Sequence, residues 1–275
     1  FAPVMALVGK WFQTGAGLAI GIAAAGQGLG QGLIQYLAGH LIQAIGWQDA
    51  FTLLGAGAAV TLVPLALLMV EPPAAKNVAG GQDGIAKLPM GIVVPALSVA
   101  VFGCCLGMAV PLMHLVPLIQ EVTGEGAKAG GPLIGMFVAA IAGRVVFGWI
   151  ADTNGALVAW MIAVLWQTTL VFGFFTLGSM QAFWLFAPIY GFGYGGVMTG
   201  VLVSIRAVTP LSHRNSATGI VLAFAWLGHA AGAWQGGLFF DFTGSYLWSY
   251  ANAVLAGMVN LAIIGTIWTV LRRGH

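Results

Sequence analysis

The stretch GRVVFGWIADTNG, residues 143–155, sets Arg144 inside an apolar run and follows it eight residues later with Asp152. A guanidinium in such a run carries planar donors that hold a carboxylate with two parallel hydrogen bonds. Ionisable groups in segments this apolar are expensive, which makes Arg144 the leading candidate for function. Three amides, Gln27, Gln31 and Gln35, recur every four residues and so share one face of a helix. Amide groups facing hydrocarbon would leave donors unsatisfied, so that face turns toward protein or water. His114 and His229 are single histidines within apolar runs. Each either bonds a neighbouring carbonyl or faces a polar cavity. Tyr190 and Tyr194, four apart, offer packing plus hydroxyl bonding, with Tyr194 the candidate for the site. Glu121, Glu125 and Asp152 fall at breaks between runs, and no nucleophile, base or metal set gathers at one depth. An enzyme is therefore not expected, and neither a cofactor nor a metal is implied. Cys104 and Cys105 are adjacent, poorly placed for a disulfide, and read as small helix residues.

The elements that position these groups follow from composition. Of 275 residues, 60% are hydrophobic and 6% charged, against about 25% charged in ordinary soluble domains. So few charges cannot cover a water-facing surface. About 20 apolar residues cross a ~30 Å hydrocarbon layer as a helix, and the apolar runs fit that length. A stub at 1–9 precedes eight spans near 17–43, 50–70, 90–119, 132–151, 156–177, 182–204, 217–240 and 247–270. The fold class is all-α: a polytopic membrane helix bundle whose first partner is the lipid bilayer. A formal net charge of +2 gives no reason to expect nucleic acid.

The placement of Lys and Arg orients the spans. Alternating sides, Lys10, Lys76, Lys87, Arg206, Arg214, Arg272 and Arg273 fall on one face, expected to be cytoplasmic, and Lys128 on the other. The polar, Ala/Gly-rich segment 71–89 reads as a cytoplasmic linker. It divides the chain into 1–70, the remainder of one bundle, and 90–275, a six-helix bundle. Because Phe1 already lies inside an apolar segment, the chain is expected to be a piece of a longer protein, unable to transport alone. Residues 19–46 repeat at an offset of 198, pairing Gly21 with Gly219, Gly30 with Gly228, Gly39 with Gly237 and Gly46 with Gly244. Parallel repeats on either side of a linker characterise transporters built from two halves. Glycines clustered at Gly26, Gly28, Gly30 and Gly32, and at Gly191, Gly193, Gly195 and Gly196, read as close-packing helix faces.

GRVVFGWIADTNG resembles the end of the eighth helix of the major facilitator superfamily. WFQTGAGLAIGIAAAGQGLG, GWQDAFTLLG, MHLVPLIQEVTG and FFDFTGSY are similar, in order, to junctions at helices five, six, seven, and eleven to twelve. The monocarboxylate-transporter and oxalate/formate-antiporter branches are the ones resembled. The resemblance implies a twelve-helix, two-bundle transporter, a monomer when complete, of which the stub is the end of helix four. It assigns structural or gating roles to Gly143, Gly148, Asp152, Gly30 and Gly228. It implies a substrate contact for Arg144 and favours a cavity role for His114, while His229, Tyr194 and the three glutamines are candidates from their own residue types and spacing. The acidic residue that proton-coupled relatives place four before the arginine is here Ala140, and Thr153 stands where a basic residue usually follows the aspartate. In helix eleven the positions nearest the lysine of oxalate/formate carriers hold Trp226 and His229. The expectation is a secondary transporter of a small organic anion, a monocarboxylate, in a bacterial cell membrane, with protons or a counter-substrate as possible coupling partners. Exchange of di- and monocarboxylates, or a non-transporting sensor of the same fold, are the alternatives.

Overall fold

A computed structural model of the chain describes residues 2–12, 14–70, 89–125, 128–210 and 212–273, apart from the side chains at positions 2, 3, 6, 32, 35 and 36. Among the described residues there are nine α-helices and no strand: α1 Ala2–Trp11, α2 Ala16–Ile45, α3 Trp47–Leu67, α4 Met90–Thr123, α5 Gly131–Asn154, α6 Ala156–Val171, α7 Met180–Val208, α8 Arg214–Thr243 and α9 Leu247–Arg273. A 3-10 turn, Phe172–Thr176, extends α6. The helices α3 to α9, with α6 counted together with its 3-10 extension, are long and apolar enough to cross a membrane. The Gly- and Gln-rich α2 has 30 residues, ample length for the eighth span. Most of the linker, residues 71–88, lies outside the described residues, as do Lys76 and Lys87.

Several helices run past the apolar segments that announce them. The run expected to stop at 119 continues to Thr123, and that expected over 217–240 extends from Arg214 to Thr243. Apolarity marks the depth of hydrocarbon, whereas helical hydrogen bonding continues into the polar interface until backbone geometry stops it. The stops are glycines in the left-handed region: Gly124 at φ 70° and Gly244 at φ 67°, whose N–H groups close back on the Gln120 and Phe240 carbonyls. The expected break at Asp152-Thr153-Asn154 is likewise the last turn of α5, which ends at Gly155 (φ 101°).

The offset of 198 seen in the sequence superposes α2 on α8 from first residue to last. Each has 30 residues, and each is followed by a positive-φ glycine, Gly46 or Gly244. The chief packed pairs are α5 on α7, α4 on α8, and α2 on α5. Glycine permits each of these approaches. A Cβ at Gly191 or Gly195 would strike the Met136 or Ala140 backbone, and one at Gly143 would strike the Phe192 carbonyl. On α8, Gly228 and Gly232 do the same against the Phe102 and Leu106 carbonyls of α4. On α2 the glycines of the expected packing face differ in what they meet among the described residues. Gly28 is in close contact, but Gly26 and Gly30 meet nothing within 4 Å among the described residues. Among the described residues, the glycines of α2 that touch a neighbour are Gly17, Gly21 and Gly28, spaced by four and seven. That spacing holds one helix line against α5, while Gly26 and Gly30 lie off it.

The contact at Gly195 has a measurable consequence. Valine there meets backbone atoms that cannot swing aside, so Gly195→Val is expected to lose at least the ~1–3 kcal/mol typical of overpacking. Gly219→Val, at a position with nothing within 4 Å, should be close to neutral. Thermal unfolding in detergent, followed by monodisperse size-exclusion recovery, checks both. Equal midpoints for the two variants would contradict the packing assignment.

Candidate functional site

Arg144 lies within α5 and is 1% exposed. Its Nη2 donates to Gln27 Oε1 of α2 at 3.4 Å, while its Nε and Nη1 have no hydrogen-bond partner among the described residues. The guanidinium lies this close to α2 because residue 28 is glycine: a Cβ there would stand 2.6 Å from Nη1. One turn and more below, a Cβ at Gly21 would strike the Arg144 carbonyl oxygen. Two features of α2, an amide and an absent side chain, thus frame one buried cation.

Tyr194 of α7 completes the cluster. It is buried and close enough to Arg144 and Gln31 to interact with both, and Phe137 meets its ring edge-on at 6.4 Å. Gln31 Oε1 is buried without a partner among the described residues. Two guanidinium nitrogens and one amide oxygen therefore present unmet hydrogen-bonding capacity at one place, where α2, α5 and α7 converge. Among the described residues no carboxylate lies within 4 Å of Arg144; the ion pair found is Lys128–Glu125 at 2.9 Å, near the other end of α5. Arg144 thus has two guanidinium nitrogens without a hydrogen-bond partner and no carboxylate beside it among the described residues.

The other residues singled out in the sequence sit elsewhere. His114 of α4 donates from Nε2 to the Ala233 carbonyl of α8 at 3.0 Å, and its ring lies 5.2 Å from that of Tyr246. His229 turns Nδ1 to the Ala225 carbonyl of its own helix at 3.0 Å and packs against Trp226. No contact joins either histidine to Arg144 among the described residues. The side chain of Gln35 is outside the described set. Tyr190 is fully buried between Phe174 and Tyr194, its hydroxyl without a partner.

Asp152 has a defined partner. Its two carboxylate oxygens accept from the backbone N–H groups of Gly17 and Leu18, each at 2.8 Å. These are orphan donors of the first turn of α2, whose own N-cap, Gly15, supplies no side chain. A carboxylate on α5 thus caps α2, with favourable charge against the helix dipole. Beside it, Gly17 and Gly148 approach so closely that a Cβ on either would meet the other's carbonyl. Arg206, at the end of α7, is close enough to attract Asp152 and donates to the Phe12 carbonyl at 3.1 Å. Arg214 Nη2 in turn donates to the Arg206 carbonyl. Arg206, Arg214, Gly17 and Gly21 were not foreseen as a cluster. A helix start with glycine at the N-cap was the signal that an external acceptor was needed.

The arrangement defines a class: a multi-pass, all-α membrane protein in which the cation of one helix is met by polar groups of two others. The family model of the Major Facilitator Superfamily matches residues 1–205, and the chain belongs to that superfamily. It is 26% identical over 249 residues to the uncharacterized MFS-type transporter YcxA of Bacillus subtilis, covering 86% of this chain and 60% of that protein. It is 27% identical over 278 residues to an MFS-type transporter of Gibberella moniliformis (98% and 65%). It is 28% identical over 289 residues to human monocarboxylate transporter 11 (95% and 58%). The chain therefore spans about three-fifths of the length of these relatives, and it resembles the monocarboxylate-transporter branch.

Proposed function

We propose that the chain is part of a secondary transporter that moves a small organic anion, a monocarboxylate, by alternating access. The observation that carries this reading is Arg144: buried, free of any carboxylate partner among the described residues, and joined by Gln27 and Gln31 of α2 and Tyr194 of α7. Among the described residues Arg144 is the one cation at this depth, and one guanidinium holds one carboxylate. Dicarboxylate exchange would call for a second cation at that depth, and the helix-eleven position expected to supply one holds Trp226 and His229, which pack on each other.

In this reading residues 1–70 and 90–275 belong to two bundles, the basic face is cytoplasmic, and substrate reaches Arg144 between α2 and α5. The contact of Asp152 with α2 then ties one bundle to the other at the cytoplasmic end. Glycine lines such as Gly17–Gly21–Gly28 let helices rock without side chains catching. His114 and His229 serve as polar neighbours of the path rather than direct ligands. The branch resemblance supports the carboxylate; its coupling to protons or to a counter-substrate is part of the question put to the assay.

The test is uptake by the intact protein in proteoliposomes, with radiolabelled short monocarboxylates and a dicarboxylate offered separately. Saturable uptake of a monocarboxylate, competed weakly by the dicarboxylate, is the expected result. Uptake of neither, with normal membrane insertion, would favour a non-transporting sensor and overturn the proposal. A pH gradient and internal substrate, applied in turn, separate proton symport from exchange.

A further inference from the structure

A cavity lies between α2 and α5, on the side away from the polar cluster. It has a volume of about 260 Å³ and is lined by Gly28, Leu29, Leu33, Ile134, Phe137, Val138 and Ile141, none of which carries a polar side chain. Helical phase sets its side. Leu29 and Leu33 are each two residues from a glutamine of the Gln27–Gln31 row, about 200° around the helix. On α5, Met136, Ala140, Gly143 and Phe147 turn to α7, and Ile134 and Val138 are offset from them in the same way. The polar cluster and this crevice are therefore opposite faces of one seam, separated by Gly28 and the buried guanidinium.

Depth narrows the occupant. At 1.5 Å per residue the crevice lies roughly 18–26 Å along α2 from its start and roughly 5–15 Å along α5 from its own. With the basic face cytoplasmic, as proposed above, that is the hydrocarbon of the outer leaflet. Leu29, Leu33 and Val138 are apolar and exposed among the described residues. The seam is shut at its other end, where Gly17 meets Gly148 and Asp152 caps α2. A dry cavity of about 150 Å³ already takes a benzene-sized guest, so this one has room for a segment of hydrocarbon chain.

We infer that this crevice binds an acyl chain of a membrane lipid, wedged between α2 and α5. The site is independent of which substrate Arg144 serves. If the two helices rock as proposed above, closure of their outer ends must expel the chain, so occupancy opposes that closure.

The experiment places the intact protein in nanodiscs containing phosphatidylcholine with a diazirine in mid-chain, irradiates it, and maps adducts by mass spectrometry. Leu185, exposed on α7 at similar depth, reports ordinary lipid contact. Adducts at Leu29, Leu33 and Val138 several-fold above those at Leu185 are expected. Filling the crevice from either wall, with Leu33→Trp or Ile134→Trp, should remove the excess at Val138 and leave Leu185 unchanged. Labelling at Val138 no greater than at Leu185, as when a protein segment covers the crevice, overturns the inference. So does an excess that survives both filling substitutions. Neither result depends on transport, so the site and the substrate reading fail separately.

Discussion

Arg144→Ala is expected to abolish monocarboxylate uptake by the intact protein while its membrane level stays close to that of the parent. Hydrogen bonds to a charged group contribute about 1.5–3 kcal/mol each, so even one lost contact weakens binding roughly ten- to hundredfold. A bidentate contact loses more. Arg144→Lys separates charge from geometry: the ammonium keeps the positive charge but not the planar fork, so binding should weaken strongly with insertion unchanged. The surroundings also favour arginine. Gln27 engages one nitrogen, Gly28 leaves space for another, and Tyr194 lies alongside. Uptake assays paired with fluorescence size-exclusion profiles distinguish the outcomes. Normal transport by Arg144→Ala, or loss of transport only through misfolding of both variants, would make Arg144 a structural residue and remove the site.

The second large effect is expected at Asp152. Replacement by alanine removes both acceptors from the Gly17 and Leu18 N–H groups, and asparagine keeps one oxygen without the charge. Loss of an N-cap costs about 0.5–2 kcal/mol, and loss of the carboxylate at a helix N-terminus about 0.3–1 kcal/mol more. Together these shift a two-state balance roughly fivefold to a hundredfold. Asp152→Ala should therefore release the start of α2 from the end of α5, with Asp152→Asn intermediate. Spin labels at Thr14 and Thr153, both exposed, in a background lacking Cys104 and Cys105, report the separation by pulsed paramagnetic resonance. The alanine variant should show a longer and broader distribution. An unchanged distribution would mean that the glycine contacts hold the seam without the aspartate.

Much of this architecture is legible along the chain. The expected runs coincide with α2 to α9, because crossing hydrocarbon requires a long apolar helix that satisfies its own backbone. The offset of 198 is visible as matched glycines, and both copies, α2 and α8, are followed by a glycine of positive φ. Arg144 stands out for a similar reason: its residue type is costly in its setting, whatever its neighbours are.

Partnerships are a different matter. Asp152 and Gly17 are 135 residues apart, and Arg144 and Gln27 are 117 apart. Nothing local marks either pair. His114 illustrates the point: its sequence surroundings left a carbonyl bond and a cavity role equally open, and the fold hands it the Ala233 carbonyl of α8. Gly28 and Gly30 look alike as members of one glycine cluster, yet one lies against the guanidinium and the other meets nothing among the described residues. Composition and helical period act within one element and repeat along it. Contacts between helices depend on which elements adjoin and on the rotation of each about its axis, and these are set by the packing of all of them at once.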